Sequence, residues 1–341
     1  MKSEATHASR SSANELPTGG VFAALALLGV ATVTGAALLT GKSGDVARHK
    51  APAMRRARNL GSSPVVDKRG AVRAARRLNR AAGTIATSVL IDSAMEHYRG
   101  AFENKAMYTP LLVSALTMLA SLHGHRDKVT RAHRARDAIY AAAGLTGLIG
   151  TGFHLYNVGK KPGGFCWQNI FYAAPLGAPA AISLAGMTGF LAERVRNNPA
   201  GTVPKVAGLP AGRVVAALTG MGLLGTAGEA ALLHFRGAFH NPAMFLPVTF
   251  PPTAAALLAE AAVRPAARPR PLTRWWLRFT ALLGVAGVGF HAVGVARNMG
   301  GWRNWRQNIQ AGPPLPAPPA FSGLALAGLA ALGLLEDNPD D

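Results

Sequence analysis

Cysteine is almost missing: Cys166 is the only one in 341 residues, so neither an intramolecular disulfide nor a cysteine-based zinc site can be built. No Cys-x-x-Cys-His occurs, which excludes covalently attached c-type haem. Charge is scarce as well. Asp, Glu, Lys and Arg make up 15% of the chain, against roughly 25% in ordinary globular proteins, and this shortage argues against a plain soluble enzyme. Acidic residues are the scarcer kind, 16 against 36 basic ones, for a formal charge of +20. Absent too are the P-loop, the Gly-x-Gly-x-x-Gly dinucleotide turn after a strand and the Gly-x-Ser-x-Gly elbow.

What is present is apolar length: 49% of the residues are hydrophobic. A spanning helix needs about 20 mostly uncharged residues, and nine segments approach or meet this: 19–40, 82–96, 107–122, 138–158, 171–191, 214–233, 243–263, 277–296 and 313–335. The first is longer than a signal-peptide core and no compact Ala-x-Ala site follows it, so it is read as an anchor. Lys and Arg gather in alternate connections. Stretches 42–80, 123–137, 194–213 and 264–278 hold twelve, five, four and five, whereas 98–106, 159–170, 235–242 and 297–311 hold two, two, one and three. The positive-inside rule therefore expects the N-terminus outside and the C-terminus inside. Basic residues placed at intervals between apolar spans exclude a nucleic-acid binder. Arg73, Arg76, Arg77 and Arg80 have helical spacing before a span and are expected to lie on anionic cytoplasmic headgroups.

The chain also repeats itself. Residues 97–110, HYRGAFENKAMYTP, and 234–247, HFRGAFHNPAMFLP, share nine of fourteen positions. At the same offset Asp92 meets Glu229, Phe153-His154 meets Phe290-His291 and Gly163-Gly164 meets Gly300-Gly301. After a two-residue insertion Gln168-Asn169-Ile170 meets Gln307-Asn308-Ile309, Pro175 meets Pro314 and Pro179 meets Pro318. Four spans per unit is an even number, so both units enter the membrane from one side and form a parallel repeat. The expected fold is an all-α polytopic membrane bundle of about nine transmembrane helices. It comprises a tail and anchor helix (1–41), a basic cytoplasmic linker (42–80), a first four-helix repeat (81–194), a linker (195–212), a second repeat (213–336) and an acidic tail (337–341).

Between the two copies the apolar positions have drifted and a polar set has stayed, at the extracytoplasmic ends of the spans in this topology. His97, His154, His234 and His291 are candidate ligands, since imidazoles at helix ends serve haem iron or copper. Met107 and Met244 offer thioethers at like depth for a His/Met alternative, and Arg99 and Arg236 suit a haem propionate. Asp92 and Glu229, inside the apolar segments, are costly there and mark a proton relay. A structural role competes with all of this: such residues also cap helix ends, bond headgroups and satisfy buried loops. Trp167, Trp275, Trp276, Trp302 and Trp305 fit an aromatic belt.

The leading expectation is an electron-transfer or quinone-interacting subunit with b-type haem or copper, facing a redox partner on the outer side. A proton-coupled transporter and a non-catalytic anchor or assembly protein without cofactor are the alternatives. Richness in Ala, Arg, Gly and Pro points to a high-GC bacterium and hence its inner membrane.

Overall fold

In the computed structural model the described residues are 68–199, 202–264 and 270–336. The expected anchor at 19–40 and the acidic tail lie outside them. The described chain is mostly helical: α1 Lys68–Arg99, α2 Thr109–Arg126, α3 Arg134–Gly159, α4 Trp167–Tyr172, α5 Gly177–Arg196, α6 Ala211–Arg236, α7 Leu246–Val263, α8 Pro271–Arg297, α9 Trp305–Ala311 and α10 Pro319–Glu336. A minimal hairpin, Lys205–Val206 with Leu209–Pro210, lies between α5 and α6. Among the described residues six helices are long and apolar enough to cross a membrane: α2 and α7 with the short 3₁₀ turns before them, α3, α6, α8 and α10.

The expected boundaries shift at three places. α1 begins well before residue 81, because Ala71, Ala74, Ala75 and Leu78 give its first turns a buried stripe while Arg73, Arg77 and Arg80 stay exposed on the other faces. The apolar stretch 171–191 is broken at 173–176, where Pro175 cannot continue a helix, and α5 starts only at Gly177. Pro313, Pro314, Pro316 and Pro318 likewise delay α10 to Pro319.

α1 packs on α2, α5 and α10, and α6 on α7, α10 and α5; α3 leans on α5 and α8 on α10. The centre is therefore built from α1, α5, α6 and α10. α10 is 61% buried over its apolar window and α8 only 17%, which separates an inner layer from an outer one. The outer layer shows large apolar side chains, such as Leu112, Leu116 and Leu119 on α2 and Phe279, Leu282 and Val285 on α8. So much exposed apolar surface calls for an apolar surrounding. Close helix approach recurs at matching places. Gly147 and Gly284 each face a serine, Ser183 or Ser322, where a Cβ would collide. Those serines donate to the carbonyls of Gly144 and Ala281 at 2.8 and 2.7 Å.

One end of the bundle holds buried charge that charge counting alone does not reveal. Glu193 accepts the His133 N–H at the start of α3 and Arg136 Nη2, both at 2.9 Å. Arg136 Nη2 is also 2.8 Å from Asp127. Arg196 donates to the carbonyls of Gly124, Asp127 and Val129 at 2.7, 3.0 and 3.0 Å, which would otherwise be loose where α2 ends. Arg136, Glu193 and Arg196 are each no more than 2% exposed. Beside them Tyr140 donates to Asn79 Oδ1 at 2.5 Å and reaches Ser121 Oγ at 3.3 Å.

Candidate functional site

At the opposite end α1 and α6 finish alike. Two successive left-handed residues turn the chain out of each helix, Ala101 and Phe102 at φ 52° and 49°, Ala238 and Phe239 at 54° and 46°. Such backbone costs non-glycine residues about 1 kcal/mol or more each, so surrounding contacts must impose it. Phe102 and Phe239 donate their N–H groups to the carbonyls of His97 and His234, both at 3.1 Å. Their rings stack on Tyr108 at 4.5 Å and Phe245 at 4.6 Å. Asn104 and Asn241 then accept the N–H of Ala106 and Ala243, capping the following 3₁₀ turns.

This return path brings a backbone carbonyl to each helix-end imidazole. His97 Nδ1 is 2.7 Å from the Met107 oxygen and His234 Nδ1 2.8 Å from that of Met244. His154 Nδ1 meets the Pro175 oxygen, and His291 Nδ1 that of Pro314, both at 2.6 Å. A carbonyl oxygen can only accept, so Nδ1 is the protonated, donating nitrogen in all four rings. In the neutral imidazole Nε2 then keeps an available lone pair. His97 and His154 lie within electrostatic reach of each other, and so do His234 and His291. The rings are half-buried. Met107 and Met244, expected as thioether ligands, meet the histidines through their carbonyls, while their Cε methyls pack against Gly100 and Gly237.

Other members of the repeated polar set are engaged locally. Asn169 holds the carbonyls of Pro162 and Gly164, and Asn308 those of Met299 and Gly301. The arginines cross between the halves. Arg99 pairs with Glu96 and extends a long 3.5 Å bond to the Ile309 carbonyl on α9. Arg236 lies over the rings of Phe171 and Tyr172 on α4, at 4.8 and 5.6 Å. Asp92 and Glu229 reach each other electrostatically across the same boundary. Glu229 accepts the Gly177 N–H at the start of α5, and a Cβ at Gly177 would overlap its carboxylate. At the matching place Pro316 has no N–H, and its carbonyl accepts from Ser88 at 2.5 Å.

The four histidines are therefore gathered as two pairs at one end, as their spacing in the sequence suggests. Glu96, Phe171, Tyr172, Ser88 and Gly177 join them without having been singled out; the doubled Pro175 and Pro314, which supply two of the carbonyls, were the available signal. The chain matches no family model, and no curated protein or solved structure matches it. Among the described residues no three His, Cys, Asp or Glu side chains converge as a metal-holding group.

Proposed function

We propose that this is a multi-pass bacterial inner-membrane protein with nine spans, an anchor followed by two parallel four-helix repeats. Its N-terminus is outside and the histidine end is extracytoplasmic. Alternation of connections rich and poor in Lys and Arg and the recurrence of the same turns, caps and glycine contacts at matching positions support this reading. Its function is electron transfer or quinone interaction through b-type haem, one per repeat. His97 and His154 would ligate the first through Nε2, and His234 and His291 the second.

The observation that carries the proposal is the set of four Nδ1–H···O=C bonds. A ligand histidine is commonly oriented by such a bond from its other nitrogen, which fixes the tautomer and leaves Nε2 for the metal. Two imidazoles per centre also suit haem better than copper, since the porphyrin supplies the remaining four nitrogens whereas copper sites draw three or more ligands from protein. Bound haem would supply one-electron redox chemistry. The chain's own groups orient the rings and shield them by the Phe102–Tyr108 and Phe239–Phe245 stacks.

An absorbance spectrum of the purified protein, with metal analysis, is the test. A Soret band is expected, and His97→Ala with His154→Ala should remove about half of it. A colourless, metal-free protein would defeat the proposal and leave the carrier and the anchor or assembly readings. A proton-coupled carrier is the second reading, favoured by Asp92 and Glu229 approaching each other across the boundary between repeats.

A further inference from the structure

Arg236 belongs to the helix of His234, and its number suggests that it serves the second repeat. Its surroundings suggest otherwise. The guanidinium lies over Phe171 and Tyr172, both on the first half's α4. Phe171 also meets Phe235 edge to face at 5.8 Å, so two neighbouring residues of α6 lean on the same short helix. Tyr172 is three residues before Pro175, whose carbonyl orients His154. Arg236 is thus held beside the structure that fixes one imidazole of the first pair.

Its donors are also available. Among the described residues no hydrogen bond or salt bridge engages the Arg236 N–H groups; the rings beneath it and the more remote charge of Glu229 are its interactions. A guanidinium stacked on an aromatic face keeps its edge free for a carboxylate while losing little further freedom on binding one. Arg99 differs. Glu96 already neutralises it, and the residue matching Glu96 in the second half is Leu233, which carries no charge.

We infer that Arg236 completes the first repeat's histidine site in trans, binding a carboxylate of its ligand, and that Arg99 has no equivalent strength at the second. Under the haem proposal, on which this inference rests, the carboxylate is a haem propionate. The two centres are then unlike in a defined way: one has a carboxylate-binding arginine supplied by the other repeat.

The test uses full-length protein with one centre removed at a time. In the His234→Ala/His291→Ala background only the first centre remains. Adding Arg236→Ala should weaken haem retention about tenfold, the loss of one charge-assisted contact, and lower the haem midpoint potential, since a nearby positive charge that favours the reduced state is gone. Arg236→Lys, which keeps charge without the fork, should fall between. Arg99→Ala should do little in that background. In the His97→Ala/His154→Ala background Arg236→Ala should leave the remaining haem unchanged. Haem bound in both backgrounds but sensitive to Arg236 only when the second centre remains would overturn the trans assignment and leave the haem proposal standing. The same holds if Arg236→Ala leaves retention and potential unchanged. A native protein without haem overturns both.

Discussion

The two ends of the bundle have treated the same duplication differently. At the histidine end the four imidazole bonds agree between the halves: His97 with Met107 as His234 with Met244, His154 with Pro175 as His291 with Pro314. At the other end the first half buries Arg136, Glu193, Tyr140, Asn79 and Ser121, and the matching positions of the second hold Thr273, Leu332, Leu277, Ala216 and Leu258, all buried. The job of capping the third helix of each half has also moved. Glu193 bonds His133 N in one, while Glu336, a turn further along α10, bonds Arg270 N and pairs with Arg274 in the other. An interior that folds with either filling does not need the charges for packing. The bonds kept at the histidine end are those in which a side chain meets backbone, where no apolar substitute exists.

The comparison breaks most sharply at Glu193. Glu193→Ala leaves the buried Arg136 and Arg196 with Asp127 as their one shared carboxylate and should cost about 3–5 kcal/mol, read as a large fall in thermal midpoint in detergent. Installing the second half's residues together, Asn79→Ala, Ser121→Leu, Arg136→Thr, Tyr140→Leu, Glu193→Leu and Arg196→Leu, removes the buried charges with their partners and should cost less than Glu193→Ala, the residual loss being the carbonyls that Arg196 releases. A six-fold variant less stable than Glu193→Ala would show that the two fillings are not interchangeable. Where the halves agree, equal losses are expected. Gly147→Ala and Gly284→Ala both push a methyl against a serine and the backbone, so each should cost about 1–3 kcal/mol; a twofold disparity would count against equivalent packing.

A smaller effect separates the halves by pH. Burial opposes the charge on Asp127, but the Val129 N–H and Arg136 outweigh it and hold the carboxyl below the usual carboxylate range. A depressed carboxyl stabilises fully above its unfolded value, about 4, and this contribution fades as pH falls from there through the folded value. Arg264 occupies the matching position. Asp127→Asn should therefore lower the melting midpoint modestly at pH 7, by about 1 kcal/mol, and the gap from the native protein should close as pH drops below about 4. A gap that persists at pH 3 would assign the loss to packing.

Much of the histidine end was legible because its residues occur twice, and a doubled His or Pro is visible without knowing what it touches. The carbonyl partners were not legible, since which backbone oxygen reaches an imidazole depends on a turn with two left-handed residues, and Ala-Phe is no sequence signal for that backbone. The start of α1 was hidden by its arginines: counted as loop charge they obscure the alanine stripe between them. The ion cluster escaped for a related reason. Asp127, Arg136, Glu193 and Arg196 lie in or beside connections, where charge is ordinarily solvated, and only the fold folds them inward.

The bond from the Gly177 N–H to Glu229 has a consequence in time. Synthesis runs from the N-terminus, so α5 exists before the residue that caps it has been made, and the first half waits for the second to complete it. Pro316 imposes no reciprocal demand, having no N–H to offer. Two identical subunits would have to make each crossing contact twice over. Joined in one chain, the halves are free to divide the work, with one giving a cap and the other receiving it.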